Sequence, residues 1–516
     1  MKRWLRVASL MALFLILAVS ISFAQPKDQT QSYLVSLLPG TSAQSLVGPD
    51  VTLVAEWPEL LSAQVKATPA AAAHLAQLPG VEYVEEDLVR TAFSLPYTDG
   101  DLTWGLQAVK AQEAWNLGAT GQGIKVCVLD TGIDSSHPEF VRPDGTSAIA
   151  GVANFTDSPS TFSVHPHGTH VSGTIAGQTN ASGSKIGVAP GVALYMAKVL
   201  GDDGNGYTSW VISGLKWCQS QGANIASLSL GSDRASGVES KAFLDAYKSG
   251  MLIIAAAGNG GDNRLSYPAG YYPVVSIAAL NPDLTKASFS QFNSDVELSA
   301  PGVATLSSMP VGTGLTTSLV VAGQSYKTAS VEYAPIGSVT GPLVECGIAN
   351  STTSCTGIPA SGPWVAMISR GSVTFAAKVT NVMAQGASAA IIANNATSTP
   401  DDYGSFTLGA PGNWVPTVSV SYNSGKAIRA AGLGTGTVTL APWNYGYMQG
   451  TSMATPHASA VAALVWSANP SLTNEQVRNI LESTALHLGQ EHGRNFEYGY
   501  GLVQADAAVM AAQATH

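Results

Sequence analysis

From about residue 102 onward, short apolar runs alternate with segments of helical periodicity. The apolar runs are near-continuous, as expected for strands that are buried on both faces of a parallel sheet. They read GIKVCVLD, VALYMAKVL, ANIASLSLG, MLIIAAAGN and YPVVSIAAL, and the helical segments include TSWVISGLKWCQSQG and ESKAFLDAYKSG. The pattern predicts an α/β domain in which helices cover both faces of a parallel sheet.

Two regions depart from this alternation. Residues 27–95 predict a small α+β unit with strands QSYLVSLL, VTLVAEW and VEYVEEDLV, and a helix in ATPAAAAHLAQLPG that ends at Gly80. The segment Thr91–Asp101 that follows suits proteolytic separation. Residues 311–441 are rich in Gly, Ser, Thr and Val and predict strand–helix–strand over PWVAMISRG, FAAKVTNVMAQGA and SAAIIANN. We interpret them as an inserted, β-rich domain.

The insertion divides the α/β domain into residues 100–310 and 442–516. The second part begins with a helix predicted from Ser452 to about Asn469, and a further helix follows in SLTNEQVRNILESTA, whose Ser/Thr start suits an N-cap.

Residues 1–24 have the features of a secretory signal peptide. A basic start precedes an apolar run and the small residues Ser22-Phe23-Ala24. The run is shorter than a membrane span, so we expect a soluble, extracellular protein with no membrane attachment after cleavage; an uncleaved anchor is the alternative. The composition is 45% apolar and 11% charged, with a net charge of −10, and Lys and Arg cluster only at the extreme N-terminus. These values indicate a globular protein and disfavour nucleic-acid binding.

The chain contains four cysteines, too few for a disulfide scaffold. In an oxidising compartment we expect Cys346 and Cys355 to pair across a short polar loop. The sequence does not decide whether Cys127 and Cys218 form a disulfide or remain buried thiols.

Polar residues stand where several of the predicted strands end. Asp130 ends GIKVCVL, Ser229 and Gly231 end the strand beginning ANIAS, and Asn259 ends MLIIAAAG. The carboxyl ends of parallel strands meet at one edge of a sheet, where functional groups of α/β proteins collect. We therefore expect these residues to line one crevice.

A serine nucleophile needs a nearby base and an acidic partner for that base. Ser452, Asp130 and one histidine among His165, His167 and His170 supply these three types. The backbone N–H at the start of the Ser452 helix, and the amide of Asn259, are suitable donors for an oxyanion.

Each residue by itself has a structural interpretation: a turn aspartate, packing histidines, a helix-capping serine and an Asn-Gly turn. Their occurrence together at strand ends favours catalysis. Two rival classes remain: a binding or adhesion protein that keeps the fold without the chemistry, and an exported esterase.

Four motifs strongly resemble those of the subtilisin-like serine proteases. They are DTGID (130–134), HGTHVSGT (167–174), AAAGN (255–259) and GTSMATPHASA (450–460), and they occur in the family's order Asp, His, Ser. The order and the absence of a G-x-S-x-G elbow at Ser452 argue against an α/β-hydrolase esterase. The resemblance covers residues 100–310 and 442–516.

The resemblance implies a secreted serine endopeptidase that forms an acyl-enzyme. Asp130 would orient the imidazole, Ser452 would be the nucleophile, and Asn259 would donate to the oxyanion. The residues alone leave His167 and His170 open as the base, and the family's H-G-T-H motif selects His167.

The resemblance also implies how substrate binds. Gly204-Asn205-Gly206 and Ser229-Leu230-Gly231 match the family's two substrate-backbone segments, which would pair with an extended peptide as added strands. Ser266 lies near the position that lines the specificity pocket, which suggests an apolar or medium-sized preference.

The flanking regions acquire roles from the same resemblance. Residues 25–95 resemble an inhibitor-type propeptide, which would inhibit its own enzyme and then be removed by it. Residues 311–441 resemble a protease-associated domain; guidance of substrates and an inert surface insertion are both open.

The resemblance implies protein or peptide substrates, a monomer and no cofactor for catalysis. Structural Ca²⁺ is common in the family, and oxygens of Glu139, Asn180 and backbone carbonyls are chemically suitable ligands, although the sequence fixes no ligand set. A zinc site formed by His165, His170 and Glu139 is the alternative metal interpretation.

Overall fold

The computed structural model describes residues 30–93, 95–96, 104–162, 164–178, 187–398, 400–404, 406–490 and 493–515. The predicted signal peptide lies outside these residues. The chain divides into two compact units, the first ending at Glu86 and the second beginning at Asp87. In the described part of the chain, no helix has the length and apolar character needed to cross a membrane.

The first unit is an antiparallel sheet with one α-helix beside it. Its elements are β1 (Gln31–Leu37), β2 (Val51–Trp57), β3 (Ser62–Ala67), α1 (Pro69–Leu75) and β4 (Val81–Glu86), and the strand order is β2-β3-β1-β4. The Thr68 hydroxyl caps α1 by accepting from Ala71 N. The prediction that this helix reaches Gly80 is wrong, because Gln77 N and Leu78 N bond to carbonyls three residues back and tighten the chain into turns.

The second unit contains the remaining strands and α-helices. The strands are β5 (Val89–Ala92), β6 (Leu95–Pro96), β7 (Lys125–Asp130), β8 (Ile149–Asn154), β9 (Ala193–Lys198), β10 (Asn205–Tyr207), β11 (Ile225–Leu228), β12 (Leu230–Gly231), β13 (Leu252–Ala256), β14 (Val274–Leu280), β15 (Val296–Pro301), β16 (Thr305–Ser308), β17 (Gly314–Val321), β18 (Gln324–Tyr326), β19 (Ala329–Ser330), β20 (Gly337–Glu345), β21 (Val365–Ser369), β22 (Ala389–Ala393), β23 (Thr417–Val420), β24 (Thr435–Trp443) and β25 (Tyr445–Gln449). The helices are α2 (Trp104–Ala108), α3 (Ala111–Asn116), α4 (His167–Ala176), α5 (Thr208–Ser220), α6 (Gly237–Lys248), α7 (Phe375–Met383), α8 (Tyr422–Ala430), α9 (Thr451–Ala468), α10 (Asn474–Thr484) and α11 (Ala505–Ala514).

A seven-stranded parallel sheet organises the second unit, in the order β15-β14-β13-β11-β7-β9-β8. Val126 and Val128 of β7 pack in one core with residues of α4 and α9. Cys127, between them, points to the other face and forms a disulfide with Cys218 of α5. Helices therefore cover both faces, and the predicted α/β fold is confirmed.

The predicted strand VEYVEEDLV is wrong as a single element, since the chain changes partner at Asp87. The Asp87 carboxylate accepts hydrogen bonds from Ser209 N at 2.9 Å and from Ser209 Oγ at 2.6 Å, in the first turn of α5. A carboxylate is favourable at that place because the first N–H groups of a helix are unpaired and its dipole is positive there. Strand β4 ends in the first unit, and β5 pairs within the second.

Residues 314–443 form an eight-stranded mixed sheet, ordered β18-β17-β24-β20-β21-β22-β23-β19. The predicted strand–helix–strand is confirmed as β21, α7 and β22, and Thr374 caps the helix. The segment has a hydrophobic core of its own, centred on residues such as Val365, Val379 and Ile391. The expected Cys346–Cys355 disulfide is present, and both cysteines belong to this core.

We predict that the two disulfides contribute unequally to stability. Cys127–Cys218 closes a sequence separation of 91 residues, and Cys346–Cys355 closes one of only 9. Restriction of the unfolded chain is worth about 4–5 kcal/mol for the longer loop and about 2–3 kcal/mol for the shorter. Thermal unfolding of the two double Cys→Ala variants should show the larger loss for Cys127/Cys218, and equal losses would contradict the prediction.

Candidate active site

The edge formed by the carboxyl ends of β7, β11 and β13 gathers several predicted site residues. These three strands are neighbours in the sheet. Asp130 is the last residue of β7, Ser229 directly follows β11, and Asn259 lies three residues beyond β13. Parallel pairing brings these ends to one edge, as the strand-end rule predicts.

Asp130 and His167 form a buried pair beside this edge. His167 is the first residue of α4, and its Nδ1 lies 2.7 Å from Asp130 Oδ1, with both side chains 0% exposed. The carboxylate is an acceptor only, so Nδ1 carries the proton and Nε2 presents a lone pair. Within the described residues, His167 Nε2 has no hydrogen-bond partner. The ring is therefore oriented to accept a proton at Nε2.

The glycine after His167 makes this approach sterically feasible. A Cβ on Gly168 would lie 2.1 Å from the carbonyl oxygen of Gly132. Gly168 N also donates to Thr131 Oγ1 at 3.0 Å. The start of α4 can therefore contact the turn after β7 only when residue 168 is glycine. This close contact explains why glycine follows the histidine in the motif HGTHVSGT.

His170 has a structural position one turn further along α4. Its Nε2 lies 3.1 Å from the carbonyl oxygens of Thr305 and Gly446, so it donates to backbone rather than to Asp130. Burial, followed by the neighbouring His167 ring, lowers the pKa of His170 to about 3. Among the described residues, no group of three or more His, Cys, Asp or Glu could hold a metal ion, so the structure does not bring His165, His170 and Glu139 together as a zinc site.

Ser452 occupies the second position of α9 and exchanges two hydrogen bonds with Ser229. Pro456 has no N–H to donate to the Ser452 carbonyl within the helix. The Ser229 hydroxyl donates to that carbonyl instead, at 2.8 Å. In return, Ser452 Oγ donates to the Ser229 carbonyl oxygen, also at 2.8 Å. Both side chains are buried, so the start of the helix is held against the end of β11.

The amide of Asn259 has a fixed orientation. Its Oδ1 accepts from Thr451 N at 2.9 Å and from Thr451 Oγ1 at 2.8 Å. Since Thr451 N is a donor only, the oxygen must lie on this side and the NH₂ group on the other. Asn259 therefore keeps an amide donor directed away from Thr451, beside the first turn of α9.

The chain's own segment Asp87–Phe93 lies in the crevice. Strand β5 runs antiparallel between β10 and β12, the two segments predicted to bind a substrate backbone. Ala92 N donates to the Gly204 carbonyl at 3.0 Å, and Phe93 N donates to the Ser229 carbonyl at 3.3 Å. The arrangement is that of an extended peptide added as a middle strand.

The carbonyl group of Phe93 meets the start of α9. Ser452 N donates to Phe93 O at 3.3 Å, so this carbonyl lies beside the Ser452 side chain. Beyond it, β6 pairs antiparallel with β25, which directly precedes α9. The Phe93 carbonyl is thus the point at which the bound segment meets the start of α9.

The Phe93 ring packs against Gly231. A Cβ on Gly231 would lie 2.8 Å from the Phe93 ring and 2.8 Å from Ser266 Oγ. The absence of a side chain at Gly231 leaves space for the Phe93 ring, and the Ser266 hydroxyl borders the same space. Ser266 therefore lies close to the Phe93 ring, and its part in a specificity pocket stays a prediction.

Sequence patterns alone did not indicate Phe93, Arg90 and Glu239 as site residues. Phe93 and Arg90 belong to a segment with the pattern of a strand end and an exposed linker. Glu239 falls in a predicted helix, where acidic residues are ordinary. The pairing of β5 with β10 and β12 shows that Arg90 lies in the bound segment, just before Phe93. The hydrogen bonds of Arg90 show that Glu239 contacts this segment.

The calcium expectation concerns residues that are only partly described. Glu139 is buried; its Oε1 accepts from Tyr445 Oη at 2.6 Å and its backbone carbonyl accepts from Gln178 N. Asn180 lies outside the described residues. The calcium site therefore stays a prediction.

The chain is similar to known proteases over much of its length. The model of the subtilase family (peptidase S8) matches residues 121–331 and 349–501. An alkaline protease of Alkalihalobacillus alcalophilus is 40% identical over 235 residues, which span 46% of this chain and 58% of that relative. Subtilisin NAT of Bacillus subtilis subsp. natto is 28% identical over 525 residues, with 98% of each chain covered.

A solved structure is similar over most of the chain. The psychrophilic subtilisin-like protease Apa1 from Pseudoalteromonas sp. AS-11 matches with a TM-score of 0.61 and 33% identity, covering 80% of this chain and 99% of that one.

Buried histidines predict a loss of stability in acid. Burial lowers the pKa of His457 to about 4, and its Nδ1 lies 2.8 Å from the Met453 carbonyl. The unfolded value is about 6.5, so the unfolded chain binds more protons and the free energy of unfolding falls as the pH drops from about 6.5 towards 4. His457→Gln should reduce the fall between pH 7 and pH 5 by about 2 kcal/mol.

Urea unfolding at the two pH values checks this in a Ser452→Ala background, which avoids self-digestion if Ser452 is the nucleophile. The comparison uses the difference between pH values, so a constant loss from the substitution cancels. If His457→Gln left the difference in the free energy of unfolding between pH 7 and pH 5 unchanged, His457 could not be buried in its neutral form.

Proposed function

Because the chain belongs to the subtilase family, we propose that it is a secreted serine endopeptidase that removes its own propeptide by cutting after Phe93. The observation that carries the proposal is the hydrogen bond from Ser452 N to the Phe93 carbonyl, in a segment held between β10 and β12. A peptide carbonyl that contacts a helix-start serine is suited to acyl transfer when a buried Asp–His pair is available as the base.

The proposed reaction begins at Ser452. Its hydroxyl turns from the Ser229 carbonyl towards His167, transfers its proton to Nε2 and attacks the carbonyl carbon of the scissile bond. Asp130 holds the Nδ1 proton and stabilises the imidazolium that forms. His167 then returns the proton to the leaving amine, and water hydrolyses the acyl-enzyme by the same route.

Two donors are proposed to stabilise the oxyanion. Ser452 N already donates to the Phe93 carbonyl oxygen, and the positive end of α9 adds to its effect. The Asn259 NH₂ group is the second donor, supported by the two hydrogen bonds that fix its Oδ1 on Thr451. Fixed donors need no reorganisation when charge develops on the substrate oxygen.

Residues 25–95 are proposed to act as an intramolecular inhibitor. Occupation of the crevice by β5 supports this role, because another peptide could not pair with β10 and β12 at the same time. The signal peptide and a monomeric, extracellular enzyme are part of the same proposal, as are protein or peptide substrates. Catalysis itself needs no cofactor, and a structural Ca²⁺ would act only on stability. Guidance of substrates by residues 311–441 remains a prediction.

Activity on casein tests the proposal against the two rivals. The wild-type chain should digest casein, whereas Ser452→Ala should not. A fluorophosphonate should label the peptide that contains Ser452 in the wild type but not in Ser452→Ala. Thr455→Ala, three residues further along α9, is the matched control and should be labelled. Cleavage of short acyl esters without casein digestion would favour the esterase, and neither activity would favour the binding protein.

Replacement of Asn259 tests the second oxyanion donor. Asn259→Ala should lower kcat for a peptide substrate by roughly 10²–10³ with little change in KM, because the donor acts mainly on the transition state. That magnitude is the one known for loss of a comparable side-chain donor in subtilisin. A variant with nearly full kcat would show that Asn259 does not stabilise the oxyanion.

A further inference from the structure

The bound segment places one charged side chain deep in the second unit. Arg90 lies three residues before Phe93, and its side chain is 0% exposed, whereas Thr91, next to it, is exposed. A buried arginine is rare unless its donors are matched by acceptors. The groups around Arg90 therefore show whether the site is complementary to an arginine side chain.

Every nitrogen of the Arg90 guanidinium has a hydrogen-bond partner. Nε lies 3.1 Å from Glu239 Oε1 and Nη2 lies 2.5 Å from Glu239 Oε2, which is the two-point geometry that matches guanidinium to carboxylate. Nη1 donates to Ser232 Oγ at 2.7 Å and lies 3.4 Å from the Val89 carbonyl. The pocket is complementary to both the charge and the planar shape of arginine.

The carboxylate belongs to the enzyme side of this contact and is held in place. Glu239 lies in the first turn of α6, and its backbone N–H donates to the Ser236 hydroxyl at 3.1 Å. Tyr271 Oη lies 2.8 Å from Glu239 Oε2, and the Glu239 side chain is 0% exposed. The helix N-terminus favours a negative charge at this position. Departure of Arg90 would leave a fixed carboxylate that lacks its cation.

We propose that Glu239 makes the mature enzyme selective for substrates with arginine at the fourth residue before the scissile bond. This inference rests on the proposed endopeptidase function. Arginine with an aromatic residue three positions later, as in Arg90-Thr91-Ala92-Phe93, is then the preferred sequence. Lysine keeps the charge but cannot make the two-point contact, and a neutral side chain leaves the buried carboxylate unpaired.

The test uses mature enzyme and the peptides acetyl-X-Thr-Ala-Phe-p-nitroanilide, with arginine, citrulline, lysine or alanine as X. Citrulline has the shape of arginine without its charge. We expect kcat/KM for the arginine peptide to exceed that for the citrulline and alanine peptides by at least about 30-fold, because truncating one partner of a buried, bonded charge pair has costs of that size. Lysine should fall between them.

Glu239→Gln should reduce the preference for arginine over citrulline to within about 3-fold, because the carboxylate that pairs with the guanidinium is lost. Asp245→Asn is the matched control, since Asp245 lies on the same helix but pairs with Lys216; it should keep the preference. If Glu239→Gln cannot be produced, the citrulline comparison in wild type still decides.

Equal cleavage of all four peptides by the wild type would overturn the selectivity and leave the proposed function standing. Retention of the preference in Glu239→Gln would overturn the role of Glu239. Cleavage of none of the peptides, together with undigested casein, would overturn both proposals.

Discussion

The reciprocal hydrogen bonds between Ser229 and Ser452 join the two halves of the site. They connect the end of β11, which binds the extended segment, to the first turn of α9, which carries the serine. Pro456 makes the Ser452 carbonyl available, because it removes the donor that an ordinary helix would supply. The position of the Phe93 carbonyl, the donor at Ser452 N and the orientation of Asn259 all depend on where this helix begins.

The parallel sheet supplies the second constraint. Because β7, β11 and β13 are adjacent, their carboxyl ends bring an acid, a backbone-binding segment and an amide donor to one edge. Helix α4 adds the imidazole from the side, and it can do so only because Gly168 contacts Gly132 directly. Hydrogen bonds orient the imidazole on Asp130 and the Asn259 amide on Thr451, which is the preorganisation that catalysis requires.

Much of this arrangement could be predicted from the sequence. The apolar runs predicted five strands of the large sheet, β7, β9, β11, β13 and β14, but not its edge strands β8 and β15. The strand-end rule selected Asp130, Ser229 and Asn259 before any geometry was known. The choice between His167 and His170 could not be made from periodicity, because both lie on one short helix. It depends on which ring contacts Asp130 and which contacts backbone carbonyls.

Other features depended on contacts between distant parts of the chain. The run VEYVEEDLV has the alternation of a single strand, yet Asp87 binds the start of α5 and redirects the chain beyond it. The Arg90–Glu239 contact joins residues 149 positions apart, and the pairing of Cys127 with Cys218 joins residues 91 apart. No local pattern indicates such pairs, since each residue by itself is ordinary in its own element.

We propose that the chain binds its own Asp87–Phe93 segment as a substrate, with the Phe93 carbonyl at Ser452. The exact mass of the first propeptide fragment released by the wild-type chain tests it most directly. We expect a fragment whose last residue is Phe93 and a complementary chain that begins at Ser94. A first cut at another bond, in a chain whose release depends on Ser452, would contradict the claim.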